Sequence, residues 1–232
     1  MDFELDVLSI NKELFEKKKI KVVVSESKFI KNCLNKLNFY KFCLKNSINT
    51  PKIYLNFDKK NRSKLIMKEI RGSGSNNQSI VNKKNLLKLP NGYFLQKYIY
   101  GEEYGMDILN SFNGEYVHSF TRKKLLMKNG ETDQAIIVRE KRFNDLAKKI
   151  SKITKHIGNL DIDFLVTNKN KILILDFNPR FGGGYPLTHL SGFNYIEYLI
   201  ESAKDKKYNF KYKNNKNNLI LSKGISTFIR KI

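Results

Sequence analysis

The chain has 232 residues, 44 of them Lys or Arg and 22 Asp or Glu, for a formal charge of +22. With 41% hydrophobic and 28% charged residues it can bury a core, which excludes wholesale disorder, and its length allows one or two compact units. No apolar run reaches the ~18 residues of a membrane helix and the acidic start is no secretory signal, so the chain is expected to be cytoplasmic, with no membrane partner.

Residues 1–27 read as a short strand-then-helix unit around Val7, Leu8, Leu14 and Phe15, ending in a strand-like 20–24 run. Phe29, Ile30, Cys33, Leu34, Leu37, Tyr40, Cys43 and Leu44 then recur at helical spacing, with Ser27 placed to cap and Thr50-Pro51 as the stop. Cys33 and Cys43, the only cysteines, lie inside that segment and suit two buried thiols in a reducing compartment. Strand-like runs follow at 53–57, 65–70, 93–99, 104–109 and 116–120, broken by Gly-containing turns at 71–77 and 90–92. Helical periodicity returns at 143–157. A hairpin of 160–167 and 171–177 leads to a Gly-rich loop, a helix around 195–203 and a last strand candidate at 219–228. This irregular order argues an α+β fold rather than a doubly wound parallel sheet.

The charge is not by itself a nucleic-acid signature. Of the basic residues 37 are Lys and only 7 Arg, beside 27 Asn, a bias that AT-rich codons would produce. A nucleic-acid binder favours Arg clustered in a stripe with aromatics, whereas Lys here is spread over nearly every segment. The densest stretch, from Lys206 to Lys213, reads first as a solvated loop.

The sharpest signal is the hairpin. A two-residue turn at Lys169-Asn170 would make opposed residue numbers sum to 339, setting Asp163 opposite Asp176 and Asp161 opposite Asn178 on one face. The other face would then collect Ile162, Phe164, Val166, Leu173, Leu175 and Phe177. Three Asp and an Asn on one face call for a compensating cation, and oxygen-only ligands suit Mg²⁺. Taken alone, the pattern fits equally a solvated face neutralised by Lys. Asn178 runs into Pro179-Arg180-Phe181-Gly182-Gly183-Gly184-Tyr185-Pro186, which supplies a guanidinium and a bare backbone for close ligand approach, a combination that favours phosphate chemistry. Upstream, Lys68 precedes Gly72-Ser73-Gly74-Ser75, a plausible phosphate cradle that alone reads as a surface turn.

Together these pieces resemble the ATP-grasp superfamily, nearest to ligases related to the carbamoyl phosphate synthase large subunit. The matching stretches are Asn35-Lys36, Leu65-Ile66-Met67-Lys68 with the Gly/Ser loop, Leu95-Gln96-Lys97-Tyr98-Ile99-Tyr100-Gly101-Glu102-Glu103, Gly130-Glu131-Thr132, and Asp176 through Pro186. The resemblance implies an ATP-grasp fold in which two α+β subdomains clasp a nucleotide, with residues 29–98 the linking helix and small lid subdomain and 99–232 the large subdomain. Residues 1–28 would be the remnant of a Rossmann-like domain that relatives carry whole.

Carried over residue by residue, it implies that Lys36 and Lys68 contact nucleotide phosphates beneath Gly72, Ser73, Gly74 and Ser75. Gln96, Lys97, Tyr98 and Ile99 would form the adenine hinge and Glu103 would hold the ribose. Asp163, Asp176 and Asn178 would bind Mg²⁺ (or Mn²⁺), with Arg180, Lys68 and Arg122 as catalytic residues. The chain departs from the family's pattern at Asp176, usually Glu, at Asp163, often an amide, and at Lys97, often an acid. The implied reaction is phosphorylation of a carboxylate by ATP, then attack by an amine. Small-molecule carboxylate and amine substrates follow, and a homo-oligomer or a separate N-terminal-domain partner would complete the shortened start. Competing readings are an ATP-binding fragment that needs such a partner, and a basic nucleic-acid-binding module, against which the clustered acids argue.

Overall fold

The computed structural model describes residues 2–57, 63–72, 78–81, 86, 88–128, 130–210 and 220–224. The elements in chain order are α1 (Asp2–Ile10), α2 (Lys12–Lys17), α3 (Ser27–Cys33), α4 (Lys36–Lys45), β1 (Ile53–Tyr54), β2 (Leu65–Glu69), β3 (Ser79–Ile80), β4 (Tyr93–Lys97), β5 (Glu102–Asn110), β6 (Tyr116–Lys128) and β7 (Glu131–Val138). There follow α5 (Lys141–Thr154), β8 (Gly158–Val166), β9 (Ile172–Asn178), α6 (Tyr185–Leu190), α7 (Tyr195–Ala203) and β10 (Ile220–Ser222). The described strands form two antiparallel sheets, one ordered β1-β4-β2-β3 and one ordered β10-β7-β6-β5-β8-β9. The α+β expectation therefore holds. No described helix is long and apolar enough to cross a membrane.

The period-2 alternation of β5 and β8 decides what each face of the large sheet does. Tyr104, Met106 and Ile108 with Leu160, Ile162, Phe164 and Val166 bury the main core against Phe29, Phe39 and Cys43 of α3 and α4 and Phe143, Ala147 and Ile150 of α5. The opposite face carries Glu103 and Asp107 on β5, Arg122 and Lys124 on β6, Asp161 and Asp163 on β8, and Asp176 and Asn178 on β9. Beyond this charged stretch a second cluster of Leu109, Phe120, Ile137, Tyr185, Phe193, Tyr195 and Leu199 seats α6 and α7.

Several expectations change. Residues 20–24 join no described ladder. They run as an extended strap held by packing rather than strand pairing, with Val24 buried against Leu5 and Ile30. The single helix over 29–44 is two helices. Asn35 adopts extended backbone and its side chain accepts from the Leu37 and Asn38 amides, a local bond that competes with helix continuation. Ser27 opens α3 but does not cap it, Glu26 being the residue before the first turn. Strands β3 and β7 and helix α6 were not foreseen.

In the β8–β9 hairpin the two key pairs stand as expected: Asp163 faces Asp176 and Asp161 faces Asn178. Nearer the turn, Phe164, Leu165 and Val166 face Ile174, Leu173 and Ile172, one residue out of the expected register. The loop closes from Thr167 to Lys171 with Asn170 left-handed (φ 57°), one residue longer than expected, and a bulge at Leu175 restores the count. Ile172 and Ile174 therefore take the core side expected for Leu173 and Leu175.

Candidate active site

The two sheets enclose a cavity of about 550 Å³. From the small sheet it is lined by Ile66, Lys68 and Gln96, and from the large sheet by the charged face just described, except Asp107, which lies buried beneath it. Leu165 and the bulged Leu175 add an apolar floor near Tyr98 and Ile99.

Beneath the polar part lies a buried ion network. Arg122, 1% exposed, donates from one terminal nitrogen to Asp107 at 2.5 Å and from the other to Asp161 at 3.0 Å. Asp107, fully buried, also accepts from the Thr188 hydroxyl (2.5 Å) and the Asn159 amide (3.1 Å), and Asn159 reaches the Arg180 carbonyl at 3.1 Å. Burial alone would lower the Arg122 pKa, but Asp107 and Asp161 outweigh it and hold the guanidinium charged. Arg122 lines the cavity yet is locked by two carboxylates, which makes it an anchor of the site floor rather than a mobile contact.

The Gly-rich loop rests directly on this network. A Cβ at Gly182 would enter the Asp161 carboxylate, and one at Gly184 would enter the Arg122 guanidinium. Bare backbone is required there by close approach.

The metal-ligand candidates gather on adjacent strands at the cavity wall. Asp163, Asp176 and Asn178 all line it. The position of Asp176 between the sheets raises its pKa to about 6; burial is the main cause, Asp163 adds to it, and Lys36 and Lys68 oppose. Among the described residues no three His, Cys, Asp or Glu side chains form a metal-binding group. Two carboxylates and an amide instead suit a hard cation that completes its shell with phosphate and water, so the donor set fits Mg²⁺ held together with a nucleotide.

Cations face these acids. Lys68 lines the cavity, where burial lowers its pKa and Lys36 lowers it further, against the pull of Asp176, Glu103 and Asp163. Lys36, the first residue of α4, donates to the Gly72 carbonyl at 2.5 Å. Ser73, Gly74 and Ser75 lie outside the described residues. Gln96, Lys97, Tyr98 and Ile99 line the cavity, but the Lys97 and Tyr98 amides already donate to the Lys52 and Lys64 carbonyls at 2.8 and 2.9 Å. The Lys64 ammonium sits over the Tyr98 and Tyr100 rings, 4.4 and 5.1 Å from their centres, and pins this crossing segment between β4 and β5. Glu103 lines the cavity, whereas Glu102 turns out to Lys123 at 2.5 Å. Arg180 also lines it, but its guanidinium is paired with Asp2 of α1 through Nε and Nη2, the latter at 3.2 Å, and its Nη1 donates to the Phe181 carbonyl at 3.2 Å.

Two site residues escaped the sequence reading. Lys124 bridges Asp163 (2.6 Å) and Glu103 (2.8 Å) with its side chain 5% exposed. Asp107 organises the buried network; an acid inside the otherwise apolar run from Tyr104 to Leu109 was its signal.

No curated protein matches the chain by sequence. Solved structures do match by fold. The biotin carboxylase domain of Hydrogenobacter thermophilus 2-oxoglutarate carboxylase, solved with MgADP, ADP and bicarbonate, superposes with a TM-score of 0.69 at 14% identity, covering 93% of this chain and 55% of that one. Campylobacter jejuni biotin carboxylase, in a βγ-ATP complex, gives 0.68 at 17% identity over 87% and 53%. An L-amino acid ligase from Bacillus licheniformis gives 0.63 at 16% identity over 88% and 54%. The chain thus spans about half the length of these three proteins. The ATP-grasp domain family matches residues 33–184, from the end of α3 through the Gly-rich loop, and the chain belongs to that family.

Proposed function

We propose that the chain is an ATP-dependent, Mg²⁺-requiring carboxylate–amine ligase that works through an acyl phosphate, as in relatives of the carbamoyl phosphate synthase large subunit. The observation that carries this reading is the convergence, in one cavity between two sheets, of Asp163, Asp176 and Asn178 with Lys36, Lys68 and Arg180. Carboxylates and cations facing each other in one cleft are what a polyphosphate and its metal need.

In this reading the adenine lies over Leu165 and Leu175 and is read by Gln96 and the main chain near Ile99, since the two preceding amides are engaged. Glu103 takes the ribose hydroxyls. Lys36 and Lys68 hold the phosphates, and Asp163, Asp176 and Asn178 would hold the metal, which would supply neutralising charge there. Arg180 then steadies the phosphoryl group as it passes to the carboxylate oxygen, and an amine displaces phosphate from the acyl carbon. The protein's part is positioning and charge neutralisation. Arg122 serves by holding Asp161 and the Gly-rich loop in place. The division at 98/99, between lid and large subdomain, falls at the crossing segment pinned by Lys64.

The test is ADP release from MgATP with a panel of small carboxylates, with hydroxylamine as the amine. A carboxylate that raises ADP release and yields its hydroxamate supports the acyl phosphate. ADP release independent of every carboxylate, with no hydroxamate, contradicts it.

One observation favours a second reading, in which another polypeptide or chain segment completes the enzyme. Phe3, Val7, Ile10 and Leu14 form an apolar stripe along α1 and α2, from 72% to 57% exposed, and Ile20 and Val23 extend it. Val7→Lys with Ile10→Lys should leave nucleotide binding intact while abolishing any association that sedimentation detects.

A further inference from the structure

Lys124 is the one cation in direct contact with a metal-ligand candidate among the described ion pairs. Its ammonium lies 2.6 Å from Asp163 Oδ1 and 2.8 Å from Glu103 Oε1, joining the acid assigned to the metal with the acid assigned to the ribose. Lys36 and Lys68 act on Asp176 through space from the other wall, and Lys36 already donates to Gly72. The Lys124 side chain is buried, so it cannot leave both acids for water without stranding a buried charge. Two partners that a bound nucleotide and its metal would claim are thus held by one lysine, whose natural replacement partner in the cavity is a phosphate oxygen.

We infer that Lys124 is an internal counter-cation that excludes free divalent metal from Asp163 and yields it only when a polyphosphate takes the ammonium. Metal and nucleotide binding are then coupled through one side chain. Metal alone must break the Lys124–Asp163 pair with nothing in exchange, whereas a nucleotide supplies Lys124 with phosphate and leaves Asp163 to the metal. This rests on the nucleotide reading of the cavity.

The experiment is calorimetric titration with Mn²⁺ alone, then with ADP in the presence of Mn²⁺, on the wild type, Lys124→Met, Lys124→Gln and Lys124→Arg. Wild type and Lys124→Arg should take Mn²⁺ alone at least tenfold more weakly than Lys124→Met and Lys124→Gln. The two uncharged variants should also lose most of the gain in ADP affinity that Mn²⁺ gives the wild type. Circular dichroism establishes that each variant is folded, and either uncharged variant suffices for the comparison. Equal Mn²⁺ affinity in wild type and uncharged variants overturns the inference. If the wild type binds no ADP with Mn²⁺, the nucleotide reading fails, while the metal-alone comparison still decides whether Lys124 guards Asp163.

Discussion

The Arg122 guanidinium and the Asp107 carboxylate meet at 2.5 Å with both side chains closed to water, on adjacent strands beneath the cleft. Removing Asp107 leaves the buried guanidinium with Asp161 alone and strands the Thr188 and Asn159 donors, so the loss should fall below the about 3–5 kcal/mol of a fully broken buried pair. Asp107→Ala should therefore lower the unfolding free energy by about 1–3 kcal/mol in urea denaturation. Arg122→Met should cost more, about 3–5 kcal/mol, because it leaves both Asp107 and Asp161 without their shared cation. A loss under 1 kcal/mol for Asp107→Ala would show that the pair does not hold the floor.

Gly182 and Gly184 lie against Asp161 and Arg122, so an added methyl must displace a buried charged group. Overpacking of this kind typically costs ~1–3 kcal/mol. Gly184→Ala should lower the melting temperature and weaken nucleotide binding, whereas Gly92→Ala, with nothing within 4 Å of its Cβ, should show only the strain of its left-handed backbone (φ 81°) and leave nucleotide binding unchanged. Wild-type nucleotide affinity in Gly184→Ala would separate the loop from the site.

His156 is buried between β5 and α5, with Nε2 donating to the Ile108 carbonyl at 3.1 Å and Nδ1 accepting from Asn110 at 3.4 Å. Burial lowers its pKa from 6.5 to about 4. The unfolded chain therefore binds this proton more readily than the folded one. The stability contributed is fully present above pH 6.5 and is lost as pH falls toward 4, amounting to roughly 3 kcal/mol at the acid end. Urea melts of wild type and His156→Gln between pH 7 and 4 check this, and their difference separates His156 from carboxylates titrating in the same range. The stability gap between the two proteins should shrink as pH falls; a gap independent of pH contradicts the assignment.

Cys33 and Cys43 are both free and buried. Burial, reinforced by Asp176, pushes the Cys43 thiol up to about 12, and burial likewise raises Cys33 well above its ordinary value. A thiol reagent such as DTNB should find neither at neutral pH in the native protein and both in urea. A rapid native reaction would show that α3 and α4 open readily.

The acidic pairs of the β8–β9 hairpin were legible because Asp161, Asp163 and Asn178 could sit together on only one face. The ladder nearer the turn was not. The run Ile172-Leu173-Ile174-Leu175 is apolar at every position, so alternation could not fix its register, and a longer loop and a compensating bulge went unseen. Asn35 broke a helix whose apolar spacing was continuous, since spacing carries no record of a side chain bonding its own backbone. Lys124 and Asp107 were hidden for a different reason. Their roles come from the pairing of β6 with β5 and of β5 with β8, contacts between strands distant in sequence that periodicity along one strand does not report.

The central claim is that the cleft holds a nucleotide through a metal on the β8–β9 face. Calorimetric titration with ATP, with and without Mg²⁺, tests it on the wild type and on Asp176→Ala combined with Asn178→Ala. The account predicts Mg²⁺-dependent binding that weakens at least tenfold in the double variant, a change of about 1.4 kcal/mol. Binding that ignores Mg²⁺, or that survives the double variant unchanged, would contradict it.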